Sequence, residues 1–317
     1  MKKIFSSITE IVGKTPLVRL CNWERRKNLR ACMLAKCEFY NPLFSVKDRA
    51  ALKMIEQAEK DGLVNENTIF VEATSGNTGI ALAAMCAAKG YKLVVTMPEN
   101  MSKERVVIMR YFGAEVILTP KEDGMKGALA KADLLREKNP NVVMFEQFIN
   151  KANVDAHRFG TSMEIMEDTK GEIDVLVAAV GTSGTLSGIA STLKTYNPDL
   201  YVVAVEPKSS AALSGGNIGP HDIPGIGSGF VPPLYDKALV DEVMVVSDED
   251  AWFTAAEVAK LEGLPVGISA GASLKAAYDL VQRENFENKK FVVILPDSIN
   301  NYISRLIEKN NDSTGKF

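Results

Sequence analysis

The sequence predicts an α/β protein of two domains, each a mostly parallel twisted sheet flanked by helices. Short runs of β-branched and apolar residues alternate with longer segments of helical spacing, which is typical of parallel strands joined by helices. Most of these runs are almost entirely apolar, as expected of strands covered on both faces. The chain has 317 residues, 46% of them hydrophobic, which is enough for two cores. A polar break near residues 150–153 places the predicted domains at 1–151 and 152–317.

Composition excludes several classes of function. The 37 Lys and Arg residues against 40 Asp and Glu residues give a net charge of −3, so no nucleic-acid partner is expected. No apolar run reaches the roughly 18 residues of a membrane helix, and no membrane partner is expected. Four irregularly spaced cysteines do not indicate a disulfide framework. We therefore expect a cytoplasmic protein that acts on a small molecule.

The strands follow from apolar runs bounded by turn residues. Strands are predicted at 33–36, 68–72, 92–97, 115–118, 142–145, 175–180, 201–206 and 291–295. The helices follow from apolar residues three and four positions apart. The first of these contains Ala50, Met54, Ile55 and Ala58 and ends at Gly62. Further helices are predicted at 80–89, 103–112, 126–137, 187–195 and 270–283.

One long segment has no predicted element. Residues 208–233 contain six Gly and four Pro. A loop of this length is uncommon in a compact domain unless it has a function.

Two Gly-, Ser- and Thr-rich turns follow predicted strands and open helices. Residues 74–79 read Thr-Ser-Gly-Asn-Thr-Gly, and residues 181–188 read Gly-Thr-Ser-Gly-Thr-Leu-Ser-Gly. Such turns place backbone N–H groups and hydroxyls at the carboxyl edge of the sheet, where ligands bind. The second turn is suited to a phosphate because a helix N-terminus attracts anions. Ordinary turn and N-cap chemistry explains one or two such residues but not six in succession.

Other phosphate and catalytic patterns fit less well. The Gly-Lys-Thr at Gly13 lacks the first glycine of a nucleotide triphosphate loop, and Phe230 replaces the last glycine of a dinucleotide fingerprint. Residues 267–271 match the Gly-x-Ser-x-Gly pattern of α/β-hydrolases, so a hydrolase using Ser269 is an alternative. That fold needs a histidine after the serine, and both histidines, His157 and His221, precede it. Two histidines are also too few for the usual zinc site, so no metal is expected.

Lys47 is the candidate for a covalent bond to an aldehyde cofactor. It lies in Ser-Val-Lys-Asp-Arg, where a loop enters a helix and apolar neighbours can lower the pKa of its amine. Taken alone, a lysine at a helix start is more often a solvated charge.

The motifs together resemble the cysteine synthase (O-acetylserine sulfhydrylase) and cystathionine β-synthase family of fold type II pyridoxal-phosphate enzymes. They are Ser-Val-Lys-Asp-Arg, Thr-Ser-Gly-Asn-Thr-Gly, Gly-Thr-x-Gly-Thr, Gly-Ile-Gly-x-Gly-Phe and Gly-Ile-Ser-x-Gly-Ala, in this order. The likeness extends from Gly13 to Ser298. It implies a tryptophan synthase β-like fold with pyridoxal 5′-phosphate in the cleft between the domains.

The resemblance implies a role for each motif. Lys47 would form the Schiff base with the cofactor and move the α-proton of the substrate. Asn77 would contact the ring oxygen O3′, and Ser269 would face the pyridine nitrogen. The phosphate would bind to Gly181, Thr182, Ser183, Gly184 and Thr185. The substrate would bind to Thr74, Ser75, Thr78, Gln147 and Gly225.

The implied reaction is replacement of the β-substituent of a serine derivative, most simply O-acetylserine plus sulfide giving cysteine and acetate. Leu43 and Phe44 stand where the family usually has small residues, and we expect them to narrow the pocket. Asp222 introduces a carboxylate before the glycine loop. These departures leave open an enzyme that uses cysteine or serine as donor, such as a sulfide-releasing desulfhydrase or a lanthionine or cystathionine synthase.

The resemblance also implies partners. It predicts a homodimer and raises the question of whether the C-terminus of a serine acetyltransferase binds in the site. A binding protein without catalytic activity is the remaining alternative, and it would require Lys47 to be unreactive.

Overall fold

The computed structural model describes residues 4–312. The strands are β1 (Leu17–Arg19), β2 (Cys32–Cys37), β3 (Ile69–Ala73), β4 (Lys92–Pro98), β5 (Glu115–Thr119), β6 (Val142–Met144), β7 (Val175–Ala179), β8 (Tyr201–Pro207), β9 (Glu242–Val246) and β10 (Lys290–Leu295). The α-helices are α1 (Cys21–Lys27), α2 (Lys47–Lys60), α3 (Asn77–Lys89), α4 (Lys103–Tyr111), α5 (Gly124–Lys138), α6 (Lys151–Ala156), α7 (Ser162–Thr169), α8 (Gly184–Tyr196), α9 (Asp248–Glu262), α10 (Ile268–Val281) and α11 (Ile303–Asp312). A π-helical turn, His157–Thr161, joins α6 to α7.

The strands form two sheets, which confirms the predicted fold class. The larger sheet has the order β1-β2-β10-β7-β8-β9 and is parallel except for β1, which pairs antiparallel with β2. The smaller sheet has the order β5-β4-β3-β6 and is parallel throughout. All eight predicted strands are present. Two further strands, β1 and β9, were not predicted.

The two sheets do not take their strands from two consecutive halves of the chain. The smaller sheet takes its strands from residues 69–144, whereas the larger sheet takes β1 and β2 from before that stretch and the rest from after it. β2 precedes the smaller sheet in the chain, but it pairs in parallel with β10 along its whole length and so belongs to the larger sheet. Residues 17–37 therefore pack with the C-terminal half. The limits 1–151 and 152–317 stay a prediction for the remainder of the chain.

Apolar side chains cover both faces of both sheets. On the larger sheet, Val175, Val203 and Val293 point into one core, while Leu176, Val202 and Val292 point into the core on the opposite face. Alternate residues of each strand thus enter different cores, as the two-residue period of a strand requires. This burial on both faces is the reason that the strands read as continuous apolar runs.

The helix starts and strand ends of the two sheets meet in one region. β3 ends just before the residue 74–79 turn and α3, and β7 ends just before the residue 181–185 turn and α8. The carboxyl ends of parallel strands are the usual place for ligands. No helix within residues 4–312 has both the length and the apolar character needed to cross a membrane.

Candidate active site

A cavity lies at the starts of α2, α3, α8 and α10. Its empty volume is about 510 Å³, including the part open to solvent. The lining comes from both halves of the chain: Val46, Lys47, Asn77, Ala179, Gly181, Thr182, Ser183, Thr185, Leu186, Gly225, Ile226, Ser269, Ile294, Pro296 and Asp297. The structure therefore brings together Lys47, Asn77, Ser269, Gly225 and the residue 181–185 turn, which the sequence had placed in one site. Gly184 is the one residue of that turn outside the lining.

Lys47 is placed by the backbone on both sides of it. It is the first residue of α2, and the N–H of Val46 donates to the carbonyl of Pro296 at 2.7 Å. Ser45 forms an isolated antiparallel bridge with Asp297. The buried carboxylate of Asp48 accepts the N–H of Leu43 at 2.6 Å. These contacts tie the loop before α2 to the end of β10, and they fix where the Lys47 side chain begins.

The amine of Lys47 has no hydrogen-bond or ion-pair partner among residues 4–312. Desolvation lowers its pKa below the usual value for lysine, and the nearby Asp297 carboxylate opposes this effect. An amine whose pKa is lowered is a better nucleophile toward an aldehyde at neutral pH. The geometry and charge of Lys47 therefore fit the predicted covalent role.

The far side of α2 rests on a network of four buried or half-buried charges, the paired-charge cluster, formed by Lys36, Glu38, Arg49 and Glu164. The Nε of Arg49 donates to Glu38 at 2.7 Å, and its Nη1 donates to Glu164 at 2.7 Å. The fully buried Lys36 amine contacts Glu164 at 2.9 Å and the carbonyl of Thr15 at 2.7 Å. The cluster holds α2 against β2 and α7, two residues after Lys47.

The residue 181–185 turn forms a cup at the start of α8. Ser183 has a φ of 69° and is followed directly by the helix, so successive backbone N–H groups turn toward one side. Such a concave arrangement of N–H groups binds anions, and the helix dipole adds to it. A Cβ on Gly181 would lie 2.3 Å from the carbonyl oxygen of Gly225. Glycine at 181 is therefore required for the Gly225 loop to close over the cup.

Ser183 occupies a left-handed backbone position that favours glycine. Its hydroxyl lies 3.0 Å from the hydroxyl of Ser187, which in turn donates to the carbonyl of Leu234 at 2.7 Å. Ser183 is almost completely buried and lines the cavity. The additional hydroxyl is therefore already bonded within the protein, and its contact with a phosphate stays a prediction.

Two residues with no predicted role, Asn153 and His157, support the cup. The amide of Asn153 donates to Thr182 Oγ1 at 2.9 Å and to the carbonyl of Gln147 at 2.8 Å. The buried His157 lies 3.2 Å from Thr185 Oγ1, and burial lowers its pKa well below the usual value. His157 is thus neutral and orients a threonine. Neither role has a local sequence signal, because both depend on contacts between distant segments.

The predicted substrate turn, residues 74–79, is held by two buried groups. Thr78 Oγ1 donates to Gln147 Oε1 at 2.7 Å, which joins two of the predicted substrate residues. Glu72, at the end of β3, accepts the N–H of Glu146 at 2.9 Å and so positions the chain before Gln147. Burial raises the pKa of Glu72 to about 8. Thr74, Ser75 and Thr78 are close to Asn77 in the chain, and Gln147 is bonded to Thr78, but all four lie outside the cavity lining.

The hydrolase alternative has no support from the histidines. Ser269 lies at the start of α10 in the cavity, and neither histidine bonds to it. His157 contacts Thr161 and Thr185, and His221 contacts the carbonyl of Gly227 at 3.0 Å. Within residues 4–312, no group of three His, Cys, Asp or Glu side chains is placed to hold a metal ion.

Comparison with known proteins decides the family. The family described as "Pyridoxal-phosphate dependent enzyme" matches residues 8–297. The chain belongs to this family. It is 47% identical to cysteine synthase A of Escherichia coli over 96% of this chain and 95% of the relative. These matches confirm the predicted resemblance and the predicted cofactor.

Two solved structures extend the comparison. A cysteine synthase from Entamoeba histolytica superposes with a TM-score of 0.94 at 41% identity, covering 97% of this chain and 92% of that one. A hydrogen sulfide-producing enzyme from Fusobacterium nucleatum gives a TM-score of 0.90 at 43% identity, covering 95% of this chain and 99% of that one. The fold of this pyridoxal-phosphate enzyme is therefore shared along nearly its whole length.

The residues of the cavity fit pyridoxal 5′-phosphate. The cup supplies N–H and hydroxyl donors for a phosphate, and Lys47 supplies an unpartnered amine for an aldehyde. Asn77 and Ser269 lie in the same lining and supply polar groups for a heteroaromatic ring. The individual roles assigned to these residues stay predictions.

The residues that depart from the family pattern, Leu43, Phe44 and Asp222, all lie outside the cavity lining. Phe44 is 53% exposed with a φ of 61°, and Leu43 packs against the core of the smaller sheet. Neither lines the cavity, and their effect on the pocket stays a prediction. Asp222 accepts from the indole of Trp252 at 3.1 Å and pairs with Arg305. It anchors the glycine loop to α9 and α11 rather than facing the cavity.

Proposed function

We propose that this protein is a cysteine synthase, which replaces the acetoxy group of O-acetylserine by sulfide and so forms cysteine and acetate. The single observation that carries the proposal is the unpartnered, desolvated amine of Lys47, in one cavity with the phosphate cup and the neutral hydroxyl of Ser269. The curated relative and one of the structural neighbours are cysteine synthases that match along almost their full length.

Bound pyridoxal 5′-phosphate supplies the conjugated ring that withdraws electrons from the α-carbon of the amino-acid substrate. Lys47 then takes the α-proton on Nζ and later returns it, because the lowered pKa lets this nitrogen act as base and acid near neutral pH. Ser269 offers only a hydroxyl, so it does not force a positive charge on the ring. This arrangement favours loss of a β-substituent over transfer of the amino group.

Thr74, Ser75, Thr78 and Gln147 would bind the carboxylate of the substrate. The turn that carries three of them opens α3, so its first N–H groups have no partners within the helix. The contact of Thr78 with Gln147 keeps these two residues together. Closure of this turn over the substrate would exclude water while the β-carbon is reactive.

The experiment is a comparison of donors with the holoenzyme. O-acetylserine, serine and cysteine are each supplied with sulfide or a thiol, and cysteine, thioether and released sulfide are measured. Cysteine formation that is fastest from O-acetylserine is expected. Faster release of sulfide from cysteine would overturn the proposal and assign the activity named for the Fusobacterium neighbour.

The resemblance supports three further proposals. The protein forms a homodimer, works in the cytoplasm, and binds the C-terminal carboxylate of a serine acetyltransferase at the residue 74–79 turn. The four cysteines are free thiols, as in proteins of a reducing compartment. Size measurement with and without a peptide of the acetyltransferase C-terminus tests the assembly and the binding together.

A further inference from the structure

Asp297 lies at the junction of the three segments that carry the predicted cofactor residues. Its carbonyl accepts the N–H of Gly267, two residues before Ser269, at 3.0 Å. On the other side its backbone bridges to Ser45, two residues before Lys47. Its side chain reaches Asn77 directly. The segment after β10 thus connects all three, through two backbone contacts and one carboxylate.

The carboxylate of Asp297 fixes the amide of Asn77. Its Oδ2 accepts from Asn77 Nδ2 at 2.8 Å and from the hydroxyl of Tyr302. Asn301 Nδ2 donates to Asn77 Oδ1 at 3.3 Å. A carboxylate can only accept, so the amide nitrogen must face Asp297. The second N–H of this amide makes only a long contact, 3.5 Å from Asn77 Nδ2 to the Tyr302 hydroxyl, so a ligand oxygen can compete for it. Asn77 therefore has one orientation in which it can donate toward a ring oxygen.

The same carboxylate carries the one negative charge of the cavity lining. Its Oδ1 is buried and has no hydrogen-bond partner among the described residues. The charged or titratable groups that face Asp297 are Lys47 from α2, Arg105 from α4 and Tyr302 from the turn before α11. Lys47 and Arg105 are cations, so their charge is opposite in sign to that of the Asp297 carboxylate. Arg105 lies 5.4 Å above the ring of Tyr302.

We propose that Asp297 is a positioning residue for the chemistry at Lys47. It holds Asn77 in its donating orientation, and its negative charge stabilises the protonated form of the nitrogen of Lys47. The proposal rests on the proposed function, because it assumes that Lys47 carries the cofactor. In this proposal the negative charge near the cofactor comes from Asp297, just after β10, because the hydroxyl of Ser269 provides none.

The protonation state of Asp297 sets the pH range in which it stabilises the protonated nitrogen of Lys47. Burial raises its pKa to about 6, against the bonds from Tyr302 and Asn77, which lower it. Above that pH the carboxylate is charged and raises the pKa of Lys47, which desolvation otherwise lowers. Loss of the carboxylate must therefore lower the proton affinity of the Lys47 nitrogen further.

The test is the Asp297→Asn variant, which keeps the shape of the side chain and the backbone contacts. The visible absorbance of the cofactor bound to Lys47 is measured against pH in the holoenzyme. The rate of acylation of Lys47 against pH is measured in the cofactor-free full chain by mass spectrometry. Both midpoints are expected to fall by about one pH unit or more, the size of shift that a neighbouring charge produces.

Glu206→Gln is the matched control. Glu206 is also buried near the end of a strand of the same sheet, and it accepts the N–H groups of Leu213 and Ser214 at 2.8 and 2.9 Å. It lies outside the cavity lining, so both midpoints should equal those of the wild type. A merely structural effect of losing a buried carboxylate would move the two variants alike, and that result would overturn the proposal.

Tyr302→Phe decides the matter if Asp297→Asn does not fold. It keeps the carboxylate but removes a bond that lowers the pKa of Asp297. The variant should behave like the wild type at alkaline pH and lose the protonated cofactor band more readily near neutrality. Wild-type midpoints in the folded variants would overturn the role of Asp297. A wild-type holoenzyme with no cofactor band would instead refute the proposed function.

Discussion

Two groups of buried ionisable side chains lie on opposite sides of the start of α2, and they differ in how far their charges are paired. In the paired-charge cluster, Arg49 contacts both Glu38 and Glu164, and Lys36 contacts Glu164. In the cavity, Lys47 Nζ and Asp297 Oδ1 have no hydrogen-bond partners among residues 4–312.

This difference separates a scaffold from a site. Burying a charge without a partner costs free energy, so a fold retains such a charge where a bound ligand supplies the partner. The charges of the cluster satisfy one another and hold α2 in place. Those of the cavity are arranged toward a molecule that the protein must bind. Variants of the cavity should therefore change chemistry with little change in stability, and variants of the cluster should do the reverse.

Lys47→Ala should show the largest effect. Without the amine, the covalent bond to the cofactor and the general base are both lost, so turnover should fall by at least about 10²–10⁴-fold, the contribution of a general acid–base group alone. The unfolding free energy of the cofactor-free protein should stay close to that of the wild type, because the substitution removes no hydrogen bond or ion pair of the Lys47 amine within residues 4–312. Donor turnover and urea unfolding measure the two quantities.

Lys53→Ala is the control for Lys47→Ala. Lys53 lies on the same helix, and within residues 4–312 its one ion pair is a 3.9 Å contact with Glu56, so its loss should change neither quantity appreciably. If Lys47→Ala lowered stability as much as a cluster variant does, the distinction between the two groups would fail.

Much of this comparison could be predicted from the sequence. The motif around Lys47 and the glycine-rich turns are local, so their residue types alone indicated the cavity. Asp297 was not assigned a role, because its meaning comes from Asn77, which is 220 residues away in the chain. The same limit applies to the contacts of Asn153 with Thr182 and of His157 with Thr185, because each of these threonines lies about 30 residues further on.

The missed strands have a different cause. β1 has only three residues and pairs antiparallel at the edge of the sheet, so it shows neither an apolar run nor a clear alternation. β9 forms the opposite edge, and four of its five residues are at least partly exposed. Edge position does not explain why β9 was not predicted, because four of its five residues are apolar and because the edge strands β5 and β6 of the smaller sheet were both predicted. The interior strands were all found from their continuous apolar runs.

Arg49→Ala should show the largest loss of stability. It leaves Glu38, which is completely buried, without its cation, and removing one partner of a buried ion pair costs about 3–5 kcal/mol. Urea unfolding of the cofactor-free protein measures the loss. Arg136→Ala removes an exposed pair with Asp133 and should cost no more than about 1 kcal/mol. Equal stability of the two variants would contradict the assignment of the cluster as scaffold.

Glu164→Gln should have a smaller and pH-dependent effect. Arg49 and Lys36 lower the pKa of Glu164 from 4.5 to about 2. Because the pKa in the folded state lies below the unfolded value, the stabilisation is complete above about pH 4.5 and is lost as the pH falls toward 2. The unfolding free energy of the wild type should exceed that of the variant by about 3 kcal/mol at most near neutrality, from a shift of this size.

Urea unfolding at several pH values should show this difference in unfolding free energy closing in acid. Glu167→Gln, an exposed change on the same helix, should show no such gap. A gap between wild type and Glu164→Gln that stayed constant down to pH 3 would mean that packing, rather than charge, is what Glu164 contributes to the cluster.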